Sequence, residues 1–168
     1  GDVLIGLRSS GLHTNGYSLV RRLFFELEKW TVDRHVDEFG RTLGEELLEP
    51  HRNYFPVLKE LIVSDDLSGM AHITGGGITE NLNRALPSHL SAEVERGSWE
   101  IPAVFRVIHE LGGVATEEMY RTLNLGIGMI LLVKKDRLSR VEDFLQRQTE
   151  RYYIIGEIVE GDGDVRYR

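Results

Sequence analysis

In the stretch GLHTNGYSLVRR, Gly11 to Arg22, a histidine (His13), an asparagine (Asn15) and a glycine (Gly16) stand just before apolar residues at helical spacing. The first turn of a helix carries N–H groups without intrahelical partners. A glycine-bearing loop leading into one therefore suits an anion, to which His13 and Asn15 would add side-chain donors. The same residues would also serve as an Asn-Gly turn with a helix cap and a surface histidine. A second candidate is Thr74-Gly75-Gly76-Gly77, where absent side chains leave consecutive backbone amides open to phosphate oxygens. No lysine follows these glycines, which excludes the nucleoside-triphosphate P-loop, and their spacing is not that of the dinucleotide fingerprint. A third group, Glu117, Glu118, Arg121, Thr122 and Asn124, precedes the most apolar run of the chain. It would carry a carboxylate, a guanidinium and an amide into a cleft, or else form a solvated helix end. His35, His51, His89 and His109 lie in no such context and read as surface or satisfied structural groups. HELGG from His109 lacks the second histidine of a zinc-protease helix, and GDGD from Gly161 is too short for a calcium loop.

The elements that must hold these groups follow from apolar periodicity. Val3 to Leu7 reads as a buried strand, and Leu19, Val20, Leu23, Phe24 and Leu27 mark a helix that starts near Tyr17. Thr31 to Gly40 is polar and irregular. Helices are expected from Arg41 to Leu48 and from about Phe55 to Ile62, the second with Pro56 in its first turn. Met70 to Thr74 reads as a strand, followed by a helix marked by Ile78, Leu82, Ala85 and Leu86 and ended by Pro87. The strand-glycine-helix unit thus occurs twice, with no convincing sequence repeat. Leu90 to Val94 is a candidate strand, and Pro102 opens a helix that stops at Gly112-Gly113. Leu125 to Val133 should be a central strand, with glycines where the main chain comes close to something. A helix around Val141 to Leu145 precedes a strand over Tyr153 to Val159, which the turn at Gly161 to Asp164 would return as a hairpin through Val165 to Tyr167. Without strict alternation of strand and helix, the expected class is α+β, a mixed sheet covered by helices.

Composition narrows the chemistry. With 168 residues the chain suits one domain with a real core, and with no cysteine it holds no disulfide, zinc-thiolate site, iron-sulfur cluster or cysteine nucleophile. The formal charge of −7 is the wrong sign for a domain that gathers nucleic-acid phosphates. No run approaches the roughly 20 apolar residues of a membrane span, so a soluble, cytoplasmic protein is expected. Gly1-Asp2, with no initiator methionine, leads at once into VLIGL, as in a fragment of a longer chain.

GLHTNGYSLVRR, MAHITGGGITENLNRALP, EEMYRTLNLGIGM and IIGEIVEG follow one another in the order and spacing of the C-terminal domain of the aminoimidazole ribonucleotide synthetase family, which the chain resembles. LGEELLEPHRNY and GSWEIPAVFRVI extend the likeness over almost the whole sequence. The resemblance implies an ATP-dependent cyclo-ligase of purine biosynthesis, which turns formylglycinamidine ribonucleotide into aminoimidazole ribonucleotide with release of ADP and phosphate. It implies that ATP and Mg2+ are held mainly by an N-terminal domain that also forms a homodimer. Residues 1–168 would then be the single C-terminal, substrate-side domain, inactive alone, with neither nucleic acid nor membrane as partner. By position, His13, Asn15 and Gly16 match the family's His-Ser/Thr-Asn-Gly loop, and Thr74, Gly75, Gly76 and Gly77 its Thr-Gly-Gly-Gly loop. Glu118, Arg121, Thr122, Asn124, Gly126 and Gly128 match the segment ending Asn-x-Gly-x-Gly-Met. The resemblance assigns these loops to substrate and leaves the general base unnamed. Arg8 and Leu123 depart from common family residues and fall outside the proposed contacts. Related enzymes that make selenophosphate, phosphorylate thiamine phosphate, mature hydrogenases or amidate the preceding purine intermediate share the scaffold, and a non-catalytic nucleotide-binding or assembly module is a further alternative. The joint presence of GLHTNG and HITGGG favours the cyclo-ligase.

Overall fold

The computed structural model describes residues 1–168 and has a six-stranded sheet at its centre. Its strands are β1 (Val3–Arg8), β4 (Leu67–His72), β5 (Leu90–Val94), β6 (Ile127–Val133), β7 (Tyr152–Glu160) and β8 (Val165–Tyr167), in the order β4-β6-β1-β7-β5-β8. All neighbours are antiparallel except β5 and β8. A separate two-stranded ribbon joins β2 (His35–Val36) to β3 (Arg41–Thr42). The architecture is the mixed, helix-covered α+β sheet expected from the sequence.

Alternation along the strands sends apolar side chains to both faces. Leu4, Ile130, Leu132, Ala92 and Ile158 pack on one side against α1 (Tyr17–Val20) with its π-helical continuation (Arg21–Leu27), α4 (Gly77–Asn83), α5 (Ala103–Gly112) and α6 (Thr116–Thr122). Ile5, Leu7, Leu131 and Val133 face the other way, onto α3 (Phe55–Ile62) and α7 (Leu138–Arg147). Being covered on both faces explains why Leu125 to Val133 reads as an unbroken apolar run rather than an alternating one.

Several boundaries follow local chemistry closely. Pro56 at the start of α3 and left-handed Gly113 after α5 sit where proline and glycine favour helix ends. The helix expected from Arg41 is shorter: Thr42 caps α2 (Leu43–Leu47) through a reciprocal bond with Glu45, and Arg41 belongs to β3. The strand expected at Met70 to Thr74 is β4, three residues earlier at its start, and ends at His72. Two corrections concern topology. Helix α6 stands where only a polar cluster was read, its buried face supplied by Met119 and Tyr120 alone. The tail does not form a hairpin either: β8 passes over β5 and pairs with its free edge. The Gly161–Asp164 turn is instead fastened to β5, with Ser91 Oγ donating to Asp164 and the Gly161 amide to the His89 carbonyl at 3.1 Å.

Candidate functional site

The strand register brings three polar loops to one end of the sheet. Met129 of β6 lies between Leu7 of β1 and His72 of β4, so the chain leaving β1, the chain leaving β4 and the chain entering β6 emerge together. These loops carry His13, Asn15 and Gly16, Thr74 to Gly77, and Asn124, whereas Glu117, Glu118, Arg121 and Thr122 belong to α6 just before the third.

The first loop is tied down by Asn124. Its Nδ2 donates to the carbonyls of Gly11 (2.9 Å) and Leu12 (3.2 Å), while its Oδ1 accepts from Ser9 Oγ (2.9 Å) and the Gly126 amide (2.8 Å). Asn124 is almost wholly buried, and these bonds occupy its whole carboxamide, so it shapes the loop. His13 adopts a left-handed backbone (φ 58°), is 3% exposed, and accepts the Ser10 amide on Nε2 at 3.1 Å. Its Nδ1 is buried without a partner. Burial, and then the nearby His51, His72 and Arg52, lower its pKa to about 4, so the ring is neutral near pH 7. Gly128 of β6 makes room for it: a Cβ there would lie 2.6 Å from His13 Cε1 and collide with the Tyr54 hydroxyl.

Asn15 does not cap α1, whose N-terminus has no side-chain cap. Its side chain turns to the second loop, where Oδ1 would lie 3.6 Å from a Cβ at Gly75, and its Nδ2 is buried with no acceptor. The glycine loop is braced from inside by Asn81. Its Nδ2 donates to the carbonyls of Thr74 (3.3 Å), Gly75 (3.1 Å) and Gly77 (2.8 Å), and its Oδ1 accepts from Thr74 Oγ1 (2.9 Å). With those carbonyls held inward, the amides of Gly75 and Gly76 donate to no carbonyl of the chain. Gly77 (φ 59°) lies so close to the Tyr120 carbonyl that no side chain fits there. The glycine loop is thereby locked against the end of α6. Glu80, ion-paired with Arg84 at 3.6 Å, overhangs Gly76 and adds negative charge at that edge.

From the third group, Thr122 Oγ1 donates to Glu118 at 2.7 Å, and Glu118 and Arg121 are exposed on α6. Leu123 packs against Gly16, so this departure from the family pattern does touch the first loop. A cavity of about 350 Å³ opens on the far flank of Ser9–Gly11, between Arg8, Arg41 and Arg106, and none of Asn15, Thr74 or the three glycines lines it.

Three contributors were not read from the sequence. Asn81 is one and His72, the last residue of β4, another. His51 is the third: it stacks on His13 with ring centroids 4.0 Å apart, and its Nε2 lies 3.2 Å from that of His72. The Pro50–Tyr54 segment brings it there, because Ser10 Oγ donates to the Pro50 carbonyl (2.7 Å), while Arg52 (3.0 Å) and Tyr54 (2.8 Å) both donate to the Arg8 carbonyl. Arg52 is itself held by buried Glu150 at 2.5 Å. The acidic and histidine side chains converge in one group of three, His13, His51 and His72, with no carboxylate among them.

Sheet, loops and braces define an α+β domain whose polar chemistry is concentrated at one sheet end. Its residues 1–168 match the model of the AIR synthase related protein C-terminal domain, and the chain belongs to that family. It is 47% identical over 165 residues to the phosphoribosylformylglycinamidine cyclo-ligase of Caldanaerobacter subterraneus subsp. tengcongensis, covering 98% of this chain and 49% of that protein. It is 45% identical over 163 residues to the Bacillus subtilis enzyme of the same name, covering 97% and 47%. The chain thus spans about half the length of the curated relatives it matches. Among solved structures, the thiamine-monophosphate kinase of Stenotrophomonas maltophilia superposes with a TM-score of 0.64 at 16% identity, over 99% of this chain and 50% of the other. The hydrogenase maturation protein HypE of E. coli gives 0.58 at 20% identity, over 99% and 45%. These likenesses show the fold.

Proposed function

We propose that the chain is the substrate-side domain of a phosphoribosylformylglycinamidine cyclo-ligase, closing the imidazole ring of aminoimidazole ribonucleotide from formylglycinamidine ribonucleotide at the expense of ATP. In this reading ATP phosphorylates the formyl oxygen, a substrate nitrogen attacks that carbon, and phosphate leaves. The chemistry needs positioning and water exclusion more than a dedicated protein nucleophile. The observation that carries the assignment is the meeting of Asn15 with the glycine loop, where an unpartnered carboxamide nitrogen lies beside the free amides of Gly75 and Gly76. Those three donors suit the oxygens of a phosphorylated substrate. His13, neutral and fixed by the Ser10 amide, orients the same loop. Glu118, Arg121 and Thr122 stand on the neighbouring helix end at the rim of the cleft.

ATP and Mg2+ belong mainly to the half of the cyclo-ligases that this chain does not span, and that half also supplies the homodimer contact. The cleft is completed where the two halves meet. No helix is long and apolar enough to cross a membrane, in keeping with a cytoplasmic enzyme. A kinase reading, drawn from the thiamine-monophosphate kinase likeness, is less well supported at 16% identity than the cyclo-ligase reading at 47%.

Calorimetric titration of the chain with formylglycinamidine ribonucleotide and, separately, with Mg-ATP tests the division of labour. The ribonucleotide should bind and ATP should not, and Gly76→Val, checked for native thermal unfolding, should abolish the binding. ATP binding alone would refute the assignment.

A further inference from the structure

We infer that His13, His51 and His72 form a binding site for a divalent transition-metal ion of the zinc or cobalt type, separate from any Mg2+ that accompanies ATP. Each of the three offers a ring nitrogen, and these nitrogens lie within 4.8 Å of one another. Two ligands of a tetrahedral ion at zinc-nitrogen distances are about 3.3 Å apart. The Nε2 atoms of His51 and His72 are already separated by 3.2 Å. The third member, His13, is 97% buried by its 3% exposure, yet keeps one ring nitrogen, Nδ1, with no hydrogen-bond partner. A set of imidazoles without a carboxylate selects borderline transition metals over Mg2+ or Ca2+.

Coordination asks for two local adjustments. The rings of His13 and His51 are stacked at an interplanar angle of 17°, so their lone pairs run side by side. His51 is only partly buried and His72 is exposed, so these two rings can turn toward a shared ion while His13 stays in place. Ligation at Nδ1 of His13 shifts the ring proton to Nε2 and gives up the 3.1 Å bond from the Ser10 amide. A bound ion would join the chain leaving β1, the segment before α3 and the end of β4, and His72 stands two residues before Thr74 of the glycine loop.

The test is titration of the chain, stripped with a chelator, with Zn2+ by calorimetry and with Co2+ by visible absorption. One equivalent of Zn2+ should bind, Co2+ should develop tetrahedral ligand-field bands that Zn2+ bleaches, and millimolar Mg2+ should not compete. Loss of a hydrogen-bond partner behind a metal ligand already costs about 10–100-fold in affinity, so losing a ligand itself should cost more than about 100-fold. His51→Gln and His72→Gln should each show that loss, whereas His89→Gln, outside the cluster, should bind as the parent does. With chelator present all four proteins should unfold at one temperature, and Zn2+ should raise the midpoint only of the parent and His89→Gln. No binding, binding indifferent to His51→Gln and His72→Gln, equal competition by Mg2+, or a cluster that takes inorganic phosphate in place of Zn2+ would each overturn the inference.

Discussion

The imidazole of His13 lies against the main chain of Gly128, where an added Cβ would be 2.6 Å from Cε1. A methyl at this point meets the ring and the Tyr54 hydroxyl together, and neither can retreat, because His13 holds the Ser10 amide and Tyr54 the Arg8 carbonyl. Gly128→Ala is therefore expected to lower stability by about 1–3 kcal/mol, the usual range for overpacking a tight interior. Urea denaturation measures it, and an unchanged midpoint would show that the ring is free to move.

Asn81 is the internal prop of the glycine loop. Asn81→Ala removes the donor shared by the carbonyls of Thr74, Gly75 and Gly77, of which Thr74 keeps the Gly77 amide at 3.1 Å, and should cost about 1–3 kcal/mol. Amide exchange at Gly75 to Ile78 should quicken selectively, and affinity for formylglycinamidine ribonucleotide should fall with it. Global loss of protection without local change would argue against a loop-specific role.

Asn124→Asp keeps the shape of the side chain and reverses half of its hydrogen bonding. A carboxylate oxygen would then face the carbonyls of Gly11 and Leu12 in a buried site. The expected loss is at least about 2 kcal/mol at pH 7. Thermal unfolding of the variant beside the parent provides the comparison.

His13 makes stability depend on pH in a definite direction. The unfolded ring takes up a proton near 6.5, but burial and its neighbours hold the folded ring's pKa to about 4. Between those values the unfolded state binds more protons, so stability is full above pH 6.5 and declines as the pH falls toward 4. His72, lowered by burial and by His51, acts in the same direction. Chemical denaturation at intervals from pH 7.5 to 4 should show this slope, and His13→Gln should flatten it.

Elements whose signals are local were legible in the sequence. Leu90 to Val94 and Phe55 to Ile62 match β5 and α3 to the residue, because alternation, Pro56 and the flanking breaks act within a few positions. The glycine loop and the His13–Gly16 loop were visible as motifs, though their junction through Asn15 was not. What escaped depends on distant partners. The turn before Val165 suggests a hairpin, but nothing local reveals that β5 takes the place beside β7. Helix α6 offers only Met119 and Tyr120 to the core, too narrow a stripe to stand out. His51 sits in a segment without periodicity, and its meeting with His13 is made by hydrogen bonds from Ser10, Arg52 and Tyr54 that join residues more than 35 positions apart.

Strand β1, the first of this domain's strands in chain order, lies inside the sheet, flanked by β6 and β7. Both partners are drawn from beyond residue 126, so a nascent chain emerging from the ribosome has no strand to place on either side of Val3–Arg8 until nearly all of it is made. Such long-range pairing slows folding and leaves apolar edges uncovered in partial chains. Premature termination anywhere before β6 should therefore leave this domain without a folded sheet, its apolar strands exposed.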